Sequence, residues 1–196
     1  MDYRKLIVES GKRMLESGLT VDTFGNISVL GDDGRMYVTP SSMDYRIIQP
    51  EDICVMDLFG NIVDSIRRPS IESALHREIY RVRPDVKAIV HTHPVSSTAI
   101  SCMGLDVPVI IDECWITLKD EVKTVPYERP GTPELARAAA AVMETSAAKA
   151  CLLQSHGAVC CGGDMEEAFR VASVLEMVSE IYLKVLAAGR DYKKIR

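Results

Sequence analysis

Aromatic residues are scarce in this 196-residue chain, at 6% with a single Trp. No apolar stretch approaches the roughly 20 residues that a membrane span requires, which excludes a helical membrane protein. Basic runs are also missing. None exceeds a Lys-Lys or Arg-Arg pair, and the formal net charge is −5, which argues against a nucleic-acid binder, since those present a basic face. The six cysteines, Cys54, Cys102, Cys114, Cys151, Cys160 and Cys161, form no C-x-x-C pair. That removes the usual zinc-knuckle and thioredoxin patterns. The adjacent Cys160 and Cys161 are poorly placed to bridge each other, and thiols of this kind read as core packing in a reduced, cytoplasmic protein. The charged start, MDYRKLIVESGKRM, lacks the apolar centre of a signal peptide. With no internal repeat, linker or low-complexity segment, a single domain over residues 1–196 is expected.

Apolar residues make up 47% and charged residues 26%, the balance of a folded soluble domain. A chain of this length buries about two-thirds of its unfolded surface in one core. Residues 2–17 carry apolar positions at helical spacing. Residues 25–30, a Gly-Asp-Asp-Gly turn and residues 35–39 read as a hairpin, as do 53–57 and 62–64 around Phe59-Gly60-Asn61. A helix is expected from Ser70, as N-cap, to about Val82, and a short strand over 87–93. Further helices are expected over 94–104, over 133–145 capped by Thr132, and from Asp164 to about Ala188. Strands are expected over 107–111, 121–125 and 150–154, the last continuing through 159–161. Helices interleaved with hairpins favour an α/β layered domain with a mixed, largely antiparallel sheet.

Histidine is rare, at four residues, and two of them are His91 and His93 at the end of an apolar strand. Residues i and i+2 on a strand face the same side, so both imidazoles can reach one ion. His156 follows another apolar strand and precedes a glycine. Three neutral imidazoles with one open position describe a catalytic zinc site, whereas calcium or magnesium would ask for carboxylates. The competing reading is core packing of a His-x-His pair, because bringing His156 alongside is a matter of tertiary folding.

Glu72 falls near the start of the expected helix, where the dipole alone favours a carboxylate. Beside a metal it would instead carry protons, with burial raising its pKa toward neutrality. Gly25-Asn26, the Thr39 to Ser42 loop and Ser70 at a helix start each offer backbone N–H groups to an anion, though Ser and Asn are also ordinary turn residues.

Taken in order, Gly25-Asn26-Ile27-Ser28, Val38-Thr39-Pro40-Ser41, Arg68-Pro69-Ser70-Ile71-Glu72, Val90-His91-Thr92-His93 and Leu153-Gln154-Ser155-His156-Gly157 resemble the class II aldolase and adducin family over nearly the whole chain. The resemblance implies a three-layer α/β/α sandwich around a mostly antiparallel sheet. It implies a homotetramer with active sites between subunits and one Zn2+ per subunit, held by His91, His93 and His156. Glu72 matches the catalytic acid/base, and Gly25, Asn26, Ser41, Ser42 and Ser70 match positions that hold a substrate phosphate. His76, one turn after Glu72, is expected to support the site or to be a plain helix-face histidine. The family's Pro-Ser-Ser-Glu reads Pro-Ser-Ile-Glu here. Where aldolases of the family carry a catalytic tyrosine this chain has Asp112-Glu113, either of which could carry the proton instead; a longer tail bearing another tyrosine is also absent.

The implied activity is retro-aldol cleavage of a fuculose-1-phosphate-like ketose 1-phosphate to dihydroxyacetone phosphate and an aldehyde. Alternatives within the family are dehydration of methylthioribulose 1-phosphate, 4-epimerisation of ribulose 5-phosphate and decarboxylation of a keto acid. An adducin-like module without catalysis is a further one. The expected partner is a small phosphorylated sugar, with no nucleic acid and no membrane.

Overall fold

The computed structural model describes residues 1–189 and 191–195. Helix α1 (Tyr3–Glu16) is capped by Asp2, which accepts from the Lys5 amide, and it buries Ile7, Val8 and Met14. Strands β1 (Asn26–Leu30) and β2 (Met36–Val38) form one hairpin, β3 (Cys54–Met56) and β4 (Ile62–Asp64) a second. Then come α2 (Ser73–Val82), β5 (Ala88–Thr92), α3 (Val95–Cys102), a π-helical turn at Cys114–Leu118, β6 (Thr124–Val125) and α4 (Pro133–Thr145). Strands β7 (Ala150–Leu153) and β8 (Gly157–Gly162) precede α5 (Met165–Ala187).

The strands make one sheet in the order β4-β3-β2-β1-β5-β8-β7-β6. Every neighbouring pair is antiparallel except β6 with β7. Alternate residues of the central strands feed two separate cores. Ile27, Val29, Ala88, Val90, Ala158 and Cys160 pack on the side of α1 and α5. Met36, Val38, Ile89, Val159 and Cys161 pack on the side of α2 and α4. The expected α/β/α sandwich is therefore present. With the sheet covered on both faces, β5 and β8 are buried throughout, and they are apolar but for His91 and Thr92 at the end of β5. No helix of the described residues is long and apolar enough to cross a membrane.

Both caps read for the later helices hold: Thr132 accepts from the Leu135 amide and Asp164 from the Glu167 amide. Four elements differ from expectation, the first being the strand read over 121–125, which is only the two-residue β6. Residues 107–111 make no strand, only an isolated bridge between Val107 and Val122; Pro108 has no N–H to extend a ladder. Helix α2 starts at Ser73 rather than Ser70, with Glu72 at its N-cap. Residues 159–161 do not prolong β7. The chain turns at Ser155, whose φ of 55° is left-handed, and returns antiparallel as β8.

Candidate metal centre

Asn26 on β1 is the register partner of His91 on β5. Both lie on the sheet face that also carries Ser28 and Ile89, the face covered by α2 (residues i and i+2 share a side). The β7–β8 turn delivers His156 to the same place, because β8 pairs with β5 from Ala88↔Gly162 to Thr92↔Ala158. His93 follows directly beyond the end of β5.

The three rings converge. His91 Nε2 lies 3.0 Å from His93 Nε2 and 3.3 Å from His156 Nε2. Ring centroids are 4.8–5.0 Å apart, edge to face. His91 Nδ1 donates to the Ala158 carbonyl at 2.9 Å, which leaves the Nε2 lone pair free to point into the cluster. Three bare nitrogens this close repel unless a positive charge sits among them. Zn–N bonds of about 2.0–2.1 Å in a tetrahedron place nitrogens about 3.3 Å apart, close to the two separations at His91. The donor set therefore fits a zinc ion.

Glu72 faces the same cluster. Its Oε2 lies 3.2 Å from His91 Nε2 and accepts from Asn26 Nδ2 at 3.0 Å; its Oε1 lies 3.5 Å from His156 Nε2. Burial pushes the Glu72 carboxyl up, but the charge on His91, its hydrogen bond and the Asn26 amide outweigh it and hold the group well below the usual carboxylate range. The raised pKa expected from burial alone is thus corrected, because the charge that pairs with Glu72 comes from a strand distant in sequence. The ion pair works both ways: burial opposes a charge on His91, yet Glu72 lifts its pKa above the ordinary imidazole value. Burial and the neighbouring rings push His93 down to about 3, and burial and His91 push His156 down to about 4. The cluster is built to hold positive charge at its centre, on one ring or on an ion.

A cavity of about 470 Å³ opens over these groups, lined by Gly25, Asn26, Ser41, Ser42, Ser70, Glu72, His93 and His156, among others. The anion-loop residues come together because two segments zip side by side. The Ser41 amide donates to the Arg68 carbonyl and the Ser70 amide to the Thr39 carbonyl, with Pro40 bridging Pro69. Ser42 adopts φ 56°, turning this loop sharply. Gly25 has φ 74°, and a Cβ there would meet the His91 carbonyl oxygen at 2.5 Å. Among the described residues no Lys or Arg lines the cavity, so its anion donors are neutral hydroxyls and amides.

Three of the lining residues carried no sequence signal: Thr23, Phe24 and Pro130. Phe24 stacks on His93, with centroids 5.8 Å apart and planes 19° apart; a lone aromatic before a glycine reads as any exposed loop residue. Asp112 and Glu113 are exposed and do not line this chain's cavity. His76 is fully buried on α2, bonded through Nδ1 to Ser28 Oγ at 2.7 Å, and that hydroxyl meets Tyr80 at 2.7 Å. It stands behind Glu72, outside the ligand cluster.

The family model for the class II aldolase and adducin N-terminal domain matches residues 5–183. The chain belongs to this family. It is 35% identical over 187 residues to 5-deoxy-D-ribulose 1-phosphate aldolase of Bacillus thuringiensis serovar kurstaki, covering 95% of this chain and 86% of that protein. It is 33% identical to 3-oxo-tetronate 4-phosphate decarboxylase of Haemophilus influenzae, covering 91% and 86% respectively. A solved structure of L-fuculose 1-phosphate aldolase superposes with a TM-score of 0.94 at 32% identity, covering 100% of this chain and 91% of that one. The chain is accordingly an enzyme of the class II aldolase type, a lyase.

Gly157 gives a direct check on how the centre is built. A Cβ there would run into the Thr92 carbonyl oxygen and come within 2.8 Å of the His93 ring. Because the obstacle is backbone, β5 and β8 must part at the metal end. Gly157→Ala is expected to cost about 1–3 kcal/mol, read by urea unfolding, and to weaken zinc retention in the same preparation.

Proposed function

We propose that this enzyme cleaves a ketose 1-phosphate to dihydroxyacetone phosphate and an aldehyde by retro-aldol chemistry. His91, His93 and His156 hold one zinc ion per subunit, Glu72 moves the proton, and Gly25, Asn26, Ser41, Ser42 and Ser70 bind the phosphate. The observation that carries this reading is the placement of a buried carboxylate against three converging Nε2 atoms, in a cavity whose other wall is a neutral anion cradle. Zinc, when bound, would act as a Lewis acid toward the hydroxy-ketone. The backbone N–H and hydroxyl groups of the cradle would fix the phosphate end and so place the carbon next to the breaking bond before Glu72. As the bond beyond that carbon breaks, its electron pair passes to the neighbouring carbonyl. Glu72, ionised at rest, takes up a proton from solvent and delivers it to that carbon, and Asn26 holds its carboxylate in place.

A second proton carrier must take the hydroxyl proton of the aldehyde half. Asp112 and Glu113 are retained for that role from a neighbouring subunit of a homotetramer. Supporting this, they sit on the surface next to the exposed Trp115 and Ile116, apolar area that a subunit contact would cover.

A second reading is favoured by the same exposure. Decarboxylation of a β-keto acid phosphate needs the anion cradle, the metal and one proton return, but no second base, and one relative is named for that reaction. Zinc-loaded enzyme should be incubated with a panel of ketose 1-phosphates, fuculose 1-phosphate and 5-deoxyribulose 1-phosphate among them, and with a 3-oxo acid phosphate. Triose phosphate from a ketose 1-phosphate is the expected product. Carbon dioxide from the keto acid, with no triose phosphate from any ketose, moves the conclusion to the second reading.

A further inference from the structure

We infer that Glu176, on α5, is a positioning residue for the metal centre, because it fixes the backbone that carries His93. The inference rests on the zinc reading above.

The three ligands are not equally supported. His91 lies inside the β5 ladder, with its ring fixed by Ala158. His156 is in a tight turn, its amide bonded to the Leu153 carbonyl. His93 lies beyond the last paired residue of β5, Thr92, so no strand pairing holds it. Its amide donates to the Leu19 carbonyl at 3.1 Å. The next restraint along the chain is the start of α3.

That start has no cap of its own. The N-cap position is Pro94, which offers no side-chain acceptor, and the first turn of α3 contains no acidic residue. Free N–H groups at a helix start need acceptors. They find them across the fold, in one carboxylate about 80 residues away. Glu176 accepts from the Ser96 amide at 2.7 Å, the Ser97 amide at 2.9 Å and Ser97 Oγ at 2.8 Å. Ser179, one turn along α5, stands 3.2 Å from the same Ser97 hydroxyl. Ser97 and Ser179 are fully buried. A charged acceptor spanning two successive amides at the positive end of a helix is a strong, directional clamp. It anchors the chain three residues after His93, while Leu19 anchors His93 itself. Releasing it frees Pro94 and the first turn of α3 to shift, and His93 moves with them. A ligand bond of about 2.0–2.1 Å does not tolerate such drift.

The test compares wild type with Glu176→Ala and Glu176→Gln; the amide variant keeps the shape and one acceptor oxygen, and it serves if the alanine variant does not fold. Zinc affinity is measured by competition with a chromophoric chelator, at a temperature where circular dichroism shows each protein folded. Glu167→Gln is the control. It removes another carboxylate of α5, one that accepts from the Gly163 amide and pairs with Lys149, away from His93. Zinc binding is expected to weaken about 10–100-fold in the Glu176 variants and to stay at the wild-type level in Glu167→Gln, even where both lower the melting temperature. Folded Glu176 variants that bind zinc as wild type does, with only the melting temperature reduced, overturn the inference and leave the zinc reading intact. A wild type that binds no zinc sinks both.

Discussion

Glu72→Gln is expected to lower kcat by about 10²–10⁴-fold, the usual worth of a positioned proton carrier, while the metal content stays at the wild-type level. The amide is isosteric, and its oxygen can still accept the Asn26 hydrogen bond that now ends on Oε2. It cannot receive or return a proton. The fold should not suffer, because Glu72 is the N-cap of α2 but makes no side-chain cap there. Its carboxylate is committed to the site. The comparison is of kcat on the best substrate of the panel and of metal content, for wild type and variant side by side. Retention of full activity would remove Glu72 from the chemistry and leave only a charge partner for His91.

Loss of a histidine has the other large effect. His156→Ala should abolish stoichiometric zinc and with it activity, by about 10³-fold or more, since two imidazoles hold a divalent cation far less firmly than three. His156 is the best choice for the experiment. Its side chain is 10% exposed at the end of a turn, whereas His91 is fully enclosed and its removal would also lose the bond to the Ala158 carbonyl. The expected variant is folded, metal-poor and inactive, as read by metal analysis and circular dichroism. The same ligands predict the pH dependence of zinc binding. Glu72 raises the affinity of His91 for a proton, so acid occupies that lone pair first. Zinc affinity must therefore fall as pH drops through the His91 pKa, with protons released when zinc binds at lower pH. A zinc affinity independent of pH between about 5 and 8 would contradict a centre made of imidazoles.

Much of the fold was legible because its signals are local. Thr132 and Asp164 mark helix starts by bonding amides three residues on, and both do so in the structure. The Gly31 to Gly34 turn closes β1 onto β2 with a bond from the Gly34 amide to the Gly31 carbonyl. The errors also have local causes that sequence does not weigh. Val107 to Ile111 has strand composition, but Pro108 cannot join a ladder. The run from Ala150 to Cys161 has the apolar content of one strand or two. Only the left-handed turn at Ser155 decides for two, and a non-glycine residue in that conformation is not foreseeable from its identity.

The sequence by itself pointed to three candidate ligands, because histidine is rare here and two of the four stand at i and i+2 at a strand end, and the motif resemblance pointed to Glu72 as the candidate acid/base. It also determined the family, through five short motifs in order. Only the tertiary structure decided that His156 meets the other two, that Glu72 is held by Asn26 beside His91, that Phe24 and Pro130 wall the cavity, and that Glu176 clamps the helix after His93. Each of these joins residues far apart along the chain. Such contacts are fixed by strand order and packing across both sheet faces, which no local pattern encodes.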